Sequence, residues 1–157
     1  MNTTTTREGA VNVERLPGDR LPRVVALSNC GDARGESRGD ADPPTMRPAA
    51  LRRLAEAHRE GFHVRKPEDV ALNQPYLGSQ EILADGQKFR DLAEEATAAG
   101  LVLGAVQAEF LRELLLGEAA TEELHRPGVD WVDEDQDHID TIARACMRSW
   151  NLFRESA

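Results

Sequence analysis

Aromatic side chains are scarce in this sequence, at 4% of 157 residues. A core with so few rings must be filled by Leu, Ala and Val, and Ala and Leu rank among the best helix formers. Cysteine is nearly absent too. Cys30 and Cys146 stand 116 positions apart and in no metal-ligand spacing, and the reducing compartment expected below argues against joining them. No uninterrupted apolar run reaches the ~18 residues of a membrane span. The N-terminus, MNTTTTREGAVNVERLPGDR, has no apolar centre of the secretory kind, so the cytoplasm is the expected compartment. No phosphate-cradling glycine pattern, nucleophile elbow or internal repeat appears.

Charge is plentiful but uneven. Residues 1–66 carry 12 Lys or Arg against 9 Asp or Glu, a net +3. Residues 67–157 carry 7 against 19, a net −12, which brings the chain to −9. An acidic body repels nucleic acid and anionic membranes and suits a basic protein partner or plain solubility.

The stretch LVLGAVQAEFLRELLL, 101–116, dominates the apolar pattern. Laid on a helix, Leu103, Val106, Phe110 and Leu114 form one row and Gly104, Ala108, Leu111 and Leu115 a second, an apolar arc of roughly 200°. A helix that apolar needs neighbours on two sides. The pattern predicts an all-α domain over 48–157, four or five helices packed around this one. Further helices are expected over Pro48–Glu60, with proline first and Gly61 just past the end, over Ser79–Ala99, over Glu118–His125, and from Asp133 to Arg154. The last carries Ile139, Ile142, Ala143, Cys146, Trp150 and Phe153 on one arc of about 100°. A kink or a close helix contact is expected near Asp85-Gly86, since glycine inside a helix costs ~1 kcal/mol relative to alanine.

Residues 1–47 read as an extended arm and linker. Within it, residues 23–28, RVVALS, form the one recognisable strand, and a strand without an intrachain partner points to pairing with another chain. Residues 29–47, rich in Gly, Asp, Ser and Pro, read as flexible or ordered only by a partner. Their Arg38-Gly39-Asp40 tripeptide is attributed to composition.

Three constellations bear on chemistry. Residues 130–140 hold six carboxylates and His138. His138 stands where a calcium loop needs glycine and Arg144 where it needs glutamate, so this is not an EF-hand. Glu134 and His138, four apart, are the remaining metal candidates, against the simpler reading that acids in a first helical turn face the positive end of the macrodipole. His58 and His63 straddle Gly61 and read as surface histidines. Cys30 has no thiolate-stabilising neighbour in sequence. Trp131 and Trp150 serve either the core or a partner, as tryptophan often does at interfaces, and Tyr76 could do either as well.

The function expected from the sequence is therefore a non-enzymatic interaction module: an adaptor, inhibitor or accessory subunit. Its contacts would be Val24, Val25 and Leu27 on the arm, with Trp131 and Trp150. The partner would be another protein, such as a basic one, or a second copy bound through the arm, with no cofactor. Two alternatives stand beside it. One is a small enzyme or metal-binding subunit using Glu134 and His138, or Cys30. The other is a nucleic-acid-associated regulator touching phosphates through Arg52, Arg53, Arg59 and Arg65, although Pro67 breaks the chain where a second DNA-reading helix would have to begin.

Overall fold

A computed structural model describes residues 5–7, 10–11, 21–39, 43–78, 80–129 and 131–156 of the chain. Most of the expected arm before residue 21, and Asp40 of the Arg-Gly-Asp tripeptide, lie outside the described residues. The backbones of Thr5–Arg7 (β1) and Ala10–Val11 (β2) pair antiparallel.

The all-α expectation is wrong: the chain mixes helices with a three-stranded sheet. Val25–Ser28 (β3) is the middle strand. It runs parallel to Val70–Leu72 (β4), with Val25 opposite Val70 and Leu27 opposite Leu72. On its other side it runs antiparallel to Gln107–Phe110 (β5), with Val25 opposite Phe110 and Ser28 opposite Gln107. The strand expected to seek another chain thus has both edges occupied by its own. Its side chains are almost wholly buried, Leu27 at 0% exposure and Val24 at 2%.

The helix expected over 101–116 does not form. Residues 101–106 run as an irregular segment, β5 follows, and only Arg112–Leu116 (α4) is helical. The reason is legible in Val106-Gln107-Ala108-Glu109-Phe110, which alternates apolar and polar with the period of two that a half-buried strand requires. Phe110 and Val106 pack into the core while Gln107 and Glu109 take the other face.

Pro48–Gly61 (α1) connects β3 to β4 and covers one face of the sheet. Proline opens it at a position whose N–H needs no partner. Leu51, Leu54, Ala55 and His58 recur at helical spacing and are all buried. Leu51 and Leu54 meet Val25, Leu27 and Val70 in the main core, joined by Phe62, Phe110 and Phe153. Fully burying each leucine contributes about 1.5–3 kcal/mol.

The helix expected over 79–99 is interrupted at Leu92, giving Gln80–Asp91 (α2) and Ala93–Ala98 (α3). Gly86 is not the break. It is buried against Thr45, whose Cβ would stand 2.9 Å from any Cβ placed there. Glu118–Leu124 (α5) forms as expected, and Gln136–Glu155 (α6) closes the chain. The most extensive helix pairing is α1 with α6. Its closest point is Gly61, where a Cβ would overlap the Ser149 hydroxyl and lie 2.9 Å from the Ala145 carbonyl oxygen.

Candidate functional site at the carboxyl edge of the sheet

Strands β3 and β4 end side by side, at Ser28 and Leu72, and β5 begins beside them at Gln107. In open α/β sheets ligands gather outside the carboxyl ends of parallel strands. The residues at this edge are polar and tightly interlocked.

Two asparagines, each directly after its strand, tie the edge together. Asn29 donates through Nδ2 to the carbonyls of Gly35 (3.0 Å) and Met46 (2.9 Å). Its Oδ1 accepts from Gly31 N and from Asn73 Nδ2, at 3.0 and 2.9 Å. All four of its side-chain positions are therefore filled. Asn73 also donates to Asp32 O (2.6 Å) and accepts from Asn29 N (2.9 Å). Both residues are buried, at 0% and 2% exposure. In such surroundings only a fully satisfied polar pair is stable.

This network orders the loop that composition marked as a linker. Asp32 Oδ1 accepts from the backbone N–H groups of Arg34 and Glu36, at 2.8 and 2.9 Å. Those two bonds, with Arg34 and Arg52 adding attraction, hold the Asp32 carboxyl below its ordinary value. Arg52 then clasps the loop from α1, donating to Arg34 O and Glu36 Oε1, both at 2.8 Å.

A second loop, carrying a cis Gln74–Pro75 bond, folds over the same edge. Ser28 Oγ donates to Tyr76 O (2.7 Å) and Cys30 N to Leu77 O (2.8 Å). Cys30 and Asn73 both take positive φ, 65° and 51°. Asparagine tolerates that region, whereas for cysteine it is a local strain of the sort that gathers at working sites. Helix α2 seats against the edge through Ile82, which clusters with Cys30 and Ala105.

Alternation along the strands places Ala26, Ser28, Ala71, Gln107 and Glu109 on the face away from α1. Three of these are small. Glu109 and Gln107 are the two long groups, and Gln107 Nε2 donates to Glu109 Oε1 at 2.7 Å. Glu109 is half-buried, and burial pushes its carboxyl above the ordinary 4.5. Among the described residues the ion pairs are Arg52–Glu36 and Arg59–Glu56, and no cation sits on Glu109. Asp32 at the edge and Glu109, two residues back from it opposite Ala26, are thus pushed in opposite directions. Asp32 stays charged and shapes a loop, while Glu109 holds its proton more tightly.

The residues singled out from sequence fall elsewhere. Val24, Val25 and Leu27 are core. Trp131 is 67% exposed, and Trp150 is 40% exposed with its ring edge against His58 at 6.0 Å. Glu134 precedes the helix, whose N-cap is Asp135, accepting from His138 N. The His138 Nε2 lies 2.7 Å from Leu114 O, so Glu134 and His138 do not share a helical turn. Among the described residues no three His, Cys, Asp or Glu side chains gather to hold a metal. Neither Cys30 nor Cys146 forms a disulfide among the described residues, and burial pushes Cys146 above its ordinary 9.0. His58 is no surface histidine but is buried at 1% exposure between α1 and α6. Of the α1 arginines, Arg52 and Arg59 are bonded within the chain, and Arg53 lies 5.6 Å from the Phe153 ring centroid.

Sequence reasoning missed Asn29, Asn73, Gln107 and Glu109. The available signal was an asparagine directly after each short apolar run, and the alternation around Gln107 and Glu109. Compared with protein-family models, with curated proteins and with solved structures, the chain matches none.

Proposed function

We propose that the chain works on a small polar molecule at the carboxyl edge of its sheet, with Glu109 as the proton-transferring group. The observation that carries this reading is the setting of Glu109: half-buried on the face opposite α1, without a paired cation among the described residues, and held by Gln107 at one oxygen. A carboxyl whose ionised form is disfavoured by burial is poised to take a proton from a bound O–H or N–H group and to return it. Gln107 orients it by donating to Oε1. The Asn29–Asn73 lock keeps the two strand ends and their loops in fixed register. Preorganisation of that kind is what a binding site needs from its supporting residues.

The test is a ligand screen by two-dimensional NMR on the full chain, using a library of small carboxylates, amides and amines. Binders should shift the amide signals of Asn29, Asn73, Tyr76 and Glu109 and lose affinity in Glu109→Gln. Binders that map elsewhere, or that ignore the substitution, would contradict the reading.

A second reading, the interaction subunit, is favoured by a different observation. Trp131, Met147 and Ile139 are large apolar side chains at or just before α6, exposed at 67, 64 and 38%. Large exposed apolar side chains that cluster mark association sites. The partner-binding groups of that reading are these, and not Val24, Val25 and Leu27.

A further inference from the structure

Helix α6 turns one side to α1, where Ala145 and Ser149 are buried against Gly61. Away from it, Ile139, Ala143 and Met147 recur at i, i+4 and i+8 and stay exposed, and Trp150, whose ring edge rests on His58 of α1, borders them at 40% exposure. The three large ones leave on the order of 300 Å² of apolar surface, comparable to the largest patch on a typical monomer, which is often functional.

We infer that this stripe is a homodimer interface, in which α6 packs antiparallel against α6 of a second copy about a two-fold axis level with Ala145. The inference rests on the interaction reading and names its partner. Two features point to this occupant. Residues 133–140 carry five carboxylates and no Lys or Arg, whereas 141–155 carry Arg144, Arg148 and Arg154 against Glu155 alone. A parallel pair would set acid against acid, and an antiparallel pair sets the acidic half of each helix against the basic half of the other. Arg148 is held by Gly61 O at 2.8 Å. Arg144 and Arg154, whose bonds among the described residues stay within α6, can reach across.

The second feature is steric. An axis level with Ala145 brings Ile139 opposite Trp150 of the second copy and Ala143 opposite its Met147. Large thus faces small at the centre, as interdigitating helices require. The same register places Arg154 opposite Gln136 and Asp137. A two-fold contact is self-complementary by construction. The stripe is less than half of the ~800 Å² per partner of a standard interface, so the dimer is expected to dissociate in the micromolar range.

Sedimentation equilibrium of the full chain over about 5–500 µM, at a salt concentration where the Debye length is ~8 Å, tests this. The expected result is a reversible monomer–dimer equilibrium. Met147→Asp should weaken it at least about tenfold, equivalent to ~1.4 kcal/mol, with an unchanged circular dichroism spectrum. Arg154→Glu should weaken it, and adding Asp137→Arg to the same chain should restore it, because each exchanged charge then meets its exchanged counterpart. A monomer throughout, or a dimer indifferent to Met147→Asp and to the charge exchange, would overturn the inference. A monomer that brings a different protein from its native cell, released by Met147→Asp, would overturn self-pairing and leave the interaction reading standing. A monomer that brings none would remove both.

Discussion

His58 shows how one buried side chain sets a pH response. Its Nδ1–H donates to Leu54 O at 2.8 Å, and its ring lies between Phe62 and Trp150. Burial lowers its proton affinity below the ordinary 6.5, with the Leu54 bond opposing. The unfolded chain therefore takes up this proton at a higher pH than the folded one. His58 contributes its full stability above about pH 6.5 and loses it as the pH falls through the depressed folded-state value. The urea midpoint should accordingly decline more steeply from pH 7 to pH 5 in the native chain than in His58→Leu. Parallel slopes would show that His58 protonates equally in both states. Nothing in the sequence distinguished this histidine from His63. Its helical phase with Leu51 and Leu54 was visible, but the partner face on α6 that buries it is 92 residues further on.

At the scale of elements, the α1–α6 contact depends on the missing side chain of Gly61. Gly61→Ala should cost about 1–3 kcal/mol in chemical denaturation, as overpacked sites do. Adding Ser149→Ala should not restore it, because the Ala145 carbonyl and the Ser149 backbone N, each 2.9 Å from the new methyl, cannot be trimmed away. Recovery in the double variant would place the conflict in the hydroxyl alone. Helix α1 was readable from its opening proline, its apolar period and Gly61. Strand β4 was not, because three residues between Pro67 and Pro75 carry too little pattern to separate a strand from a turn. Segment 101–116 was misread for a different reason. Its leucines satisfy a helical period almost anywhere, and they outweighed the five-residue alternation that decides the fold. In α6 the helix was legible but its orientation was not. Its buried side is centred on the small residues Ala145 and Ser149, beside the apolar arc, so that Ile139 on the arc faces solvent.

At the scale of the whole molecule, a three-stranded sheet with helices on one face leaves its other face to Ala26, Ser28, Ala71, Gln107 and Glu109. This face and the two asparagine-locked loops meet at the carboxyl edge, where the proposed site lies. No helix among the described residues is long and apolar enough to cross a membrane. The site was illegible in sequence because Asn29, Asn73 and Glu109 are scattered over 81 positions and only strand pairing assembles them. A raised carboxyl also has a thermodynamic signature, since it stabilises the fold most when protonated and that contribution fades as the pH rises through its folded-state value. The most direct test is the titration of the Glu109 side-chain carboxyl followed by carbon-13 NMR in the full chain. A midpoint above 4.5 that marks Glu109 apart from the exposed glutamates is the predicted result. A midpoint at or below that value would show a carboxylate fully charged at this face and would contradict its assignment as the proton-transferring group.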